Sequence, residues 1–242
     1  MFPATKNAGD RYVYGDYEYY YGGYMTEGFD DLVFTPDETS VWSVHALTNK
    51  ATYGEILTSI NGASVTNMTS TFWNCSALTT APTIPNTITT MDYTFYRCSS
   101  LTTVIIPNSV TSMNGTFQNC TALTDLSDFV IPSGVTSMEA TFEHCTNLTD
   151  APAIPNGVTS MYSAFHGCTS LTTASTIPSS VEIIDLIFAD CTTLTGNIAI
   201  NATPTSYSSS FTGTTQPITL TGSGTNRAEI AATANNGNVT VG

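Results

Sequence analysis

The chain has 242 residues, of which 41% are hydrophobic and only 10% are charged. Its 19 carboxylates against five basic residues give a formal net charge of −14, which argues against nucleic acid and anionic lipid as partners, because both are bound through lysine and arginine. No apolar run reaches the roughly 18 residues of a membrane-spanning helix, and we expect no signal peptide, because the first residues lack an apolar segment. Thr, Ser and Asn supply the polarity, which favours β-structure and turns.

Residues 1–59 differ in kind from the rest of the chain. Seven of the twelve tyrosines fall between Tyr12 and Tyr24, and their alternation with polar residues and glycine predicts a β-hairpin. The stretch from Asp37 to Leu47 predicts a capped helix or a strand that leads into the next region. We expect residues 1–59 to be an N-terminal cap that seals the core of that region. An aromatic attachment or docking segment is the alternative.

Residues 60–195 repeat with a period of about 23. The six cysteines are separated by 23, 22, 25, 23 and 23 residues, which matches no zinc motif, since those place ligand pairs about two to four residues apart. Phenylalanine stands three residues before each cysteine, leucine three after it, and methionine or isoleucine seven before it. The aligned cysteines and phenylalanines are Cys75, Cys98, Cys120, Cys145, Cys168 and Cys191, with Phe72, Phe95, Phe117, Phe142, Phe165 and Phe188.

Each repeat predicts a short strand after the leucine, a turn, a second short strand and one helical turn through the Phe and Cys positions. A proline ends the first strand, because proline cannot donate to a ladder, and alternation such as Val110-Thr-Ser-Met113 suits a half-buried strand. One unit cannot bury its own apolar residues, but stacked copies bury them against their neighbours. We therefore predict a β-rich solenoid in which the Phe and Cys side chains form ladders.

The pattern Ile-Pro-x-x-Val-Thr-Ser-Met-x-x-x-Phe-x-x-Cys-x-x-Leu-Thr resembles the BspA-like leucine-rich repeats over residues 60 to about 220. One departure is that the common Ala before Phe is Thr in four copies. The resemblance implies a right-handed coil of short strands and single helical turns, capped at both ends. It also implies adhesion or recognition, since such repeats occur in bacterial and protist surface proteins and in phage-associated proteins. It names no ligand.

Residues 196–242 predict a degenerate last repeat followed by a C-terminal cap. Tyr207 and Phe211 keep the Met and Phe positions of the repeat, but Thr214 replaces the cysteine. Beyond them the sequence predicts a strand over 218–220, a short helix over 227–232 and a strand over 238–242. Terminal repeats are expected to be atypical, because they cover an otherwise open core.

Neither the cysteines nor the histidines form a catalytic or metal motif. We expect the cysteines to be a reduced, buried row of small apolar side chains, because free cysteine often has that role. His45, His144 and His166 occupy different positions with no His-x-x-x-His or glutamate-paired motif, which indicates separate surface residues. No nucleophile elbow, Walker loop or dinucleotide fingerprint occurs. We therefore predict no enzyme activity, no metal site and no cofactor.

The candidate binding residues come from positions that the repeat leaves free. Large aromatic or imidazole side chains at these positions are Trp73, Tyr93, Tyr96, Tyr162 and His166. We predict that they lie on one face of the rod, because exposed aromatic residues flanked by carboxylates often bind sugars or proteins. Ordinary surface variation is the alternative.

Two functional hypotheses follow. The first is a non-enzymatic recognition or adhesion module, at the cell surface or outside the cell, that binds a protein or a glycan. The second is a structural subunit of an assembly such as a phage virion or a surface filament, which would oligomerise and dock through its Tyr-rich segment. Neither hypothesis involves nucleic acid or insertion into a membrane.

Overall fold

The computed structural model describes residues 11–14, 17–20, 32–36, 42–46, 51–53, 56, 58–60, 63–126, 129–234 and 237–242. The side chains of residues 1–50, including His45, lie outside this description. In chain order the elements are β1 Arg11–Tyr14, β2 Tyr17–Tyr20, β3 Leu32–Pro36, β4 Trp42–Ala46, β5 Ser59–Ile60, β6 Ala63–Asn67, β7 Gly196–Ala199, β8 Ile218–Thr221, α1 Arg227–Ala231 and β9 Val239–Val241.

Two antiparallel strand pairs precede the repeats. β1 pairs with β2, as the predicted hairpin requires, and β3 pairs with β4. The segment that was expected to be a helix or a strand after Asp37 contains strand β4. β4 also pairs in parallel with β6, with Trp42 opposite Val65. The backbone ladder therefore continues from the N-terminal strands into the first repeat.

Successive repeats lie in register and are joined mainly by single parallel bridges. One row of bridges links Asn67, Thr90, Ser112, Ser137, Ser160, Ile183 and Ser206. A second row links Thr80 to Thr103 and, further along, Asp125 to Asp150 and Thr173. Each bridge joins residues one period apart, as stacking of the repeats requires. The two short strands predicted for each repeat are thus reduced to isolated bridges in the middle of the solenoid.

The predicted helical turn through the Phe and Cys positions is wrong. In the first repeat Ser70 and Asn74 have φ angles of 56° and 60°, in the left-handed region that interrupts a right-handed helix. Alternate backbone N–H groups bond to the neighbouring repeat: those of Ser70 and Phe72 donate to carbonyls of the next repeat at 2.9 and 2.8 Å. The N–H of Thr71, which lies between them, closes a turn on the Met68 carbonyl at 3.1 Å. In this series of turns, alternate backbone N–H groups find their hydrogen-bond acceptors in the next repeat. A helix would instead use acceptors within its own repeat.

The core is one continuous stack of the five aligned apolar positions. In the third repeat these are Val110, Met113, Phe117, Cys120 and Leu123, and none is more than 1% exposed. Consecutive Phe rings from the first to the sixth repeat lie nearly parallel, with centroids 5.4 to 5.7 Å apart. Each repeat therefore contributes one layer and depends on its two neighbours to bury it.

The C-terminal region continues the stack before its pattern ends. Phe211 is fully buried, with its ring centroid 5.5 Å from that of Phe188, and Thr214 is buried at the Cys position. β7, β8 and β9 form a parallel three-stranded sheet. The predicted strands and the short helix are all present here, as β8, β9 and α1.

Candidate functional site

Two positions in each repeat have a left-handed backbone conformation. They lie five residues and one residue before the cysteine, and every residue there has a positive φ in all six repeats. The first set is Ser70, Tyr93, Gly115, Ala140, Ser163 and Leu186, and the second is Asn74, Arg97, Asn119, His144, Gly167 and Asp190. Stacking fixes this backbone, and the side chains at these two positions and at the position two residues before the cysteine vary from repeat to repeat.

Three of the predicted binding residues form one aromatic cluster. The rings of Trp73 and Tyr96, from adjacent repeats, stack with centroids 4.0 Å apart. Tyr93 stands edge-on to Tyr96 at 6.3 Å and lies 6.0 Å from Trp73. Trp73 is 49% exposed and Tyr93 is 39% exposed. We call Trp73, Tyr93 and Tyr96 the aromatic cluster.

Two neighbours shape the aromatic cluster. The guanidinium carbon of Arg97 lies 5.2 Å from the centroid of the Tyr96 ring, a distance at which a cation is attracted to the ring face. The ring of Tyr93 lies over Gly115 in the next repeat, where an added Cβ would overlap it. Gly115 therefore both adopts the left-handed backbone and leaves the space that the Tyr93 ring occupies. The cluster combines apolar faces with a positive charge at one edge.

The other two predicted binding residues belong to the fifth repeat. Tyr162 is 44% exposed, but it lies three repeats beyond Tyr93, roughly 14 Å at the usual strand spacing. His166 lies in a polar group, with its Nδ1 3.1 Å from Oε1 of Glu143. The five predicted residues therefore separate into the aromatic cluster, a tyrosine three repeats away from it and a histidine with acidic neighbours.

The polar group around His166 brings together residues that the sequence analysis treated as separate. Nε2 of His144 lies 3.7 Å from Oε1 of Glu143, and the two imidazole rings have centroids 4.9 Å apart. Donor atoms of Glu143, His144 and His166 all lie within 4.8 Å of one another, close enough for all three to reach one metal ion. Repeat alignment is the signal that could have found them, because Glu143 and His166 occupy the same position in adjacent repeats.

The outer sides of this group are also held in place. Nε2 of His166 lies 3.4 Å from Oδ2 of Asp190, and the amide of Gln118 donates to Oε2 of Glu143 at 2.6 Å. His144 leans over Gly167, where an added Cβ would overlap its ring. We call Glu143, His144 and His166 the histidine cluster, with Gln118 and Asp190 as its outer partners.

The cysteines form a hydrogen-bonded thiol ladder in addition to packing. All six are free and buried, and each thiol from Cys98 onward donates to the carbonyl of the Phe one repeat earlier at 3.0 to 3.1 Å. Burial raises the pKa of every thiol, that of Cys145 to about 12. These thiols are therefore protonated at neutral pH, and a protonated thiol is neither a nucleophile nor a metal ligand.

Two acidic side chains at the surface have structural partners. Oδ1 of Asp92 accepts hydrogen bonds from the Ser112 hydroxyl and the Asn114 N–H at 2.6 and 2.8 Å. Oε1 of Glu139, in the same column, accepts one from Ser160 at 2.9 Å. These carboxylates lie six residues before the cysteines and link one repeat to the next. Their hydrogen bonds between repeats therefore account for acidic residues at this position, independently of any binding role.

A further surface feature is apolar and was missed by the sequence analysis. Ile105 is 88% exposed and Val130, at the same position of the next repeat, is 70% exposed. Ile105 lines a cleft of about 290 Å³ together with Ala81, Pro82 and Val104. Other repeats carry Thr83, Ala153 and Thr176 at this position, so the repeat pattern did not single out Ile105 and Val130.

Among the described residues no helix is both long and apolar enough to cross a membrane. The model of the BspA-type leucine-rich repeat region matches in six copies, over residues 43–139, 65–195 and 117–227. Comparison with curated proteins finds no match.

Two solved structures share the fold. A T. pallidum leucine-rich repeat protein is 18% identical, with a TM-score of 0.60 over 73% of this chain and 85% of that one. A Bacteroides ovatus leucine-rich repeat protein is 24% identical, with a TM-score of 0.58 over 78% of this chain. The present chain spans only 48% of that protein's length. With six copies of the repeat model along most of its length, the chain belongs to the BspA-type leucine-rich repeat family.

Proposed function

We propose that the chain is a non-enzymatic recognition module that binds a protein or a glycan, at the cell surface or outside the cell, through the aromatic cluster. The observation that supports this proposal is the convergence of Trp73, Tyr93 and Tyr96 from two adjacent repeats onto one exposed patch. Leucine-rich repeat proteins are generally interaction modules, and the aromatic cluster supplies this one with a candidate contact.

The cluster has the chemistry of a binding site. Tryptophan, tyrosine and arginine are the residues that most often dominate interface energies, and all three types meet where Arg97 lies beside Tyr96. Rings that already stack on each other lose little conformational freedom on binding, so more of the contact energy contributes to affinity. Because these rings are already about half-buried, covering them contributes roughly half of the about 1.5–3 kcal/mol that full burial of a large apolar side chain supplies.

We also propose that the strands preceding the repeats close the N-terminal end of the solenoid. The parallel pairing of β4 with β6 supports this role, because it places a strand over the first repeat. At the other end, β9 and α1 are proposed to close the C-terminal side, where Ile230 and Val239 are buried. Covered ends are expected in solenoids, because an open core would promote association.

The test uses substitutions drawn from other repeats, so that the fold is preserved. Trp73→Gln and Tyr96→Gln copy Gln118, and Tyr93→Ser copies Ser70 and Ser163 at the same positions. The triple variant and a matched Tyr162→Ser control are compared on a glycan array and in a cell-adhesion assay, with circular dichroism to verify folding. We expect the triple variant to lose binding at least about ten-fold, equivalent to about 1.4 kcal/mol, and the control to retain it.

Two outcomes would contradict the proposal. Unchanged binding by a folded triple variant would move the contact away from the aromatic cluster. Light scattering that shows a large, concentration-independent oligomer of the full chain, together with no binding to any glycan or cell, would favour a structural subunit of an assembly.

A further inference from the structure

The histidine cluster is a second place where side chains from adjacent repeats converge. Its three donor groups are two imidazoles and a carboxylate, the types that bind zinc. In a tetrahedral zinc site with bonds of about 2.0–2.2 Å, neighbouring donor atoms are roughly 3.3 Å apart. The distances from Oε1 of Glu143 to His166 Nδ1 and His144 Nε2 are 3.1 and 3.7 Å. Two of the three donor separations are therefore already near the value that one zinc ion imposes, and all three are within 4.8 Å.

The outer partners of the cluster are those that a metal site requires. A metal-bound histidine usually donates its other ring N–H to a carboxylate, which fixes the tautomer and the ring orientation. Asp190 is placed to accept from the outer nitrogen of His166, with its Oδ2 3.4 Å away. Gln118 holds Oε2 of Glu143 at 2.6 Å and so leaves Oε1 directed at the two histidines. Asp190 and Gln118 therefore orient His166 and Glu143, respectively, from outside the cluster.

The backbone explains how sequence neighbours can act together. His144 has a φ of 57°, in the left-handed region that residues with a side chain rarely adopt. With that φ its imidazole lies beside the carboxylate of the preceding residue, Glu143. The ring lies over Gly167 in the next repeat, which has no side chain to obstruct it. Asn occupies the same position in the first and third repeats, so the solenoid does not itself require histidine there.

We propose that Glu143, His144 and His166 form a site for one zinc ion or a similar divalent transition-metal ion, oriented by Asp190 and Gln118. The two carboxylates beside the imidazoles, those of Glu143 and Asp190, attract a cation. Imidazole selects zinc and its neighbours in the first transition row over calcium and magnesium, which prefer oxygen ligands. The ion would join the fourth and fifth repeats.

The binding experiment uses the full chain without a polyhistidine tag, titrated with ZnCl2 by calorimetry in a non-chelating buffer. We expect one zinc ion per chain, a higher melting temperature with zinc, and no response to CaCl2 or MgCl2. CoCl2 should give the intense visible absorption of a tetrahedral cobalt site. Saturation of the signal at one equivalent distinguishes this site from weak binding to scattered surface carboxylates.

Substitutions then assign the ligands. His144→Asn copies Asn74 and Asn119, so the fold is retained, and we expect at least a ten-fold loss of zinc affinity. Glu143→Gln should lose affinity as strongly, whereas Glu139→Gln, with the same charge change in the same repeat, should not. Asp190→Asn should weaken binding by about 10–100-fold, the usual effect of removing an outer partner. His45→Gln should leave the affinity unchanged.

Three results would overturn the proposal. The first is the absence of zinc binding and of thermal stabilisation at millimolar ZnCl2, which would make the group an ordinary ion-pair row. The second is a folded His144→Asn variant that binds zinc as tightly as the original chain. The third is an equal loss of affinity in the Glu139→Gln and Glu143→Gln variants, which would assign the effect to general charge.

Discussion

The thiol of Cys120 donates a hydrogen bond to the backbone carbonyl of Phe95, one repeat earlier, across 3.0 Å. The same carbonyl accepts the N–H of Cys98 at 3.0 Å, so the thiol uses its second lone pair. The bond recurs in every later repeat that carries a cysteine. Cysteine is therefore suited to this position both because it is small and apolar and because its S–H is a weak donor.

We predict that the six thiols are protected from reagents in the folded chain. All six are buried, and burial keeps them protonated, whereas alkylation and disulfide exchange need an exposed thiolate. Titration with a thiol reagent at neutral pH should detect six groups only after denaturation. Labelling of several cysteines in the native chain, or a mass that indicates three disulfides, would contradict the prediction.

The thiol ladder also predicts a loss of stability at alkaline pH. The pKa of Cys145 is raised from its ordinary value of 9.0 to about 12 in the folded chain, so folding favours the protonated form. The stabilising contribution of the protonated Cys145 thiol is complete below pH 9 and is lost as the pH rises towards 12. Each such thiol should lower the free energy of unfolding by about 1.4 kcal/mol per pH unit in this window.

Urea unfolding at a series of pH values, with a reductant present, measures this slope. Cys145→Ala serves as the control, because removing one thiol should reduce the slope by the contribution of one proton. A variant slope equal to that of the original chain would show that the alkaline loss comes from other groups, such as tyrosines.

Phe117→Ala should lower the free energy of unfolding by about 3–5 kcal/mol, the usual cost of removing a large core aromatic residue. Phe117 is fully buried and lies between Phe95 and Phe142, with centroids 5.7 and 5.5 Å away. Chemical denaturation measures the loss, and Tyr162→Ala, on the surface, should change stability by less than about 0.5 kcal/mol. Equal midpoints for the two variants would mean that the Phe column is not the core.

The periodic positions of the core could be predicted from the sequence, because burial against neighbouring repeats demands the same residue type once per turn. The backbone between them could not. Tyr93 and Leu186 adopt φ angles of 53° and 57° although such residues normally avoid this region. The conformation there is imposed by hydrogen bonds between repeats, so local sequence gave no sign of it and indicated a helical turn instead.

The candidate surfaces could likewise be predicted only in part from the sequence. Aromatic side chains at free positions predicted a shared face for Trp73 and Tyr96 but not their ring contact, which arises because the two residues share a position in adjacent repeats. The histidine cluster was not predicted, because the two histidines occupy different positions and the position that Glu143 shares with His166 was not compared between repeats; His144 joins them with a left-handed backbone that leaves its ring beside Glu143. A search of neighbouring repeats, not of neighbouring residues, would have found it.

Gly115 and Tyr93 should be energetically coupled. Gly115→Ala places a methyl group in a left-handed position, φ 58°, and against the Tyr93 ring. In a Tyr93→Ser background only the backbone cost remains, about 1–2 kcal/mol. With Tyr93 present we expect about 1 kcal/mol more, because the ring is displaced from its rotamer. A double-mutant cycle measures this difference, and strict additivity would show that the ring does not depend on Gly115.

Trp73 should report on the aromatic cluster through its fluorescence. The chain has two tryptophans, so Trp42→Phe leaves Trp73 as the single emitter. Tyr96 covers one face of the Trp73 ring at a centroid distance of 4.0 Å, and this contact should shield the ring from a soluble quencher. Adding Tyr96→Gln should therefore increase quenching by acrylamide and shift the emission to longer wavelength, as more of the ring meets water.

The control for this measurement is Tyr162→Ser in the same Trp42→Phe background. Tyr162 lies three repeats beyond Tyr96, so its loss should leave the Trp73 emission and quenching unchanged. Tyr93→Ser should have an intermediate effect, because that ring stands 6.0 Å from Trp73 and is tilted towards it instead of stacked on it. If all three variants were quenched alike, Trp73 would not be part of a preformed cluster, and its exposed ring would have to acquire its neighbours when a partner binds.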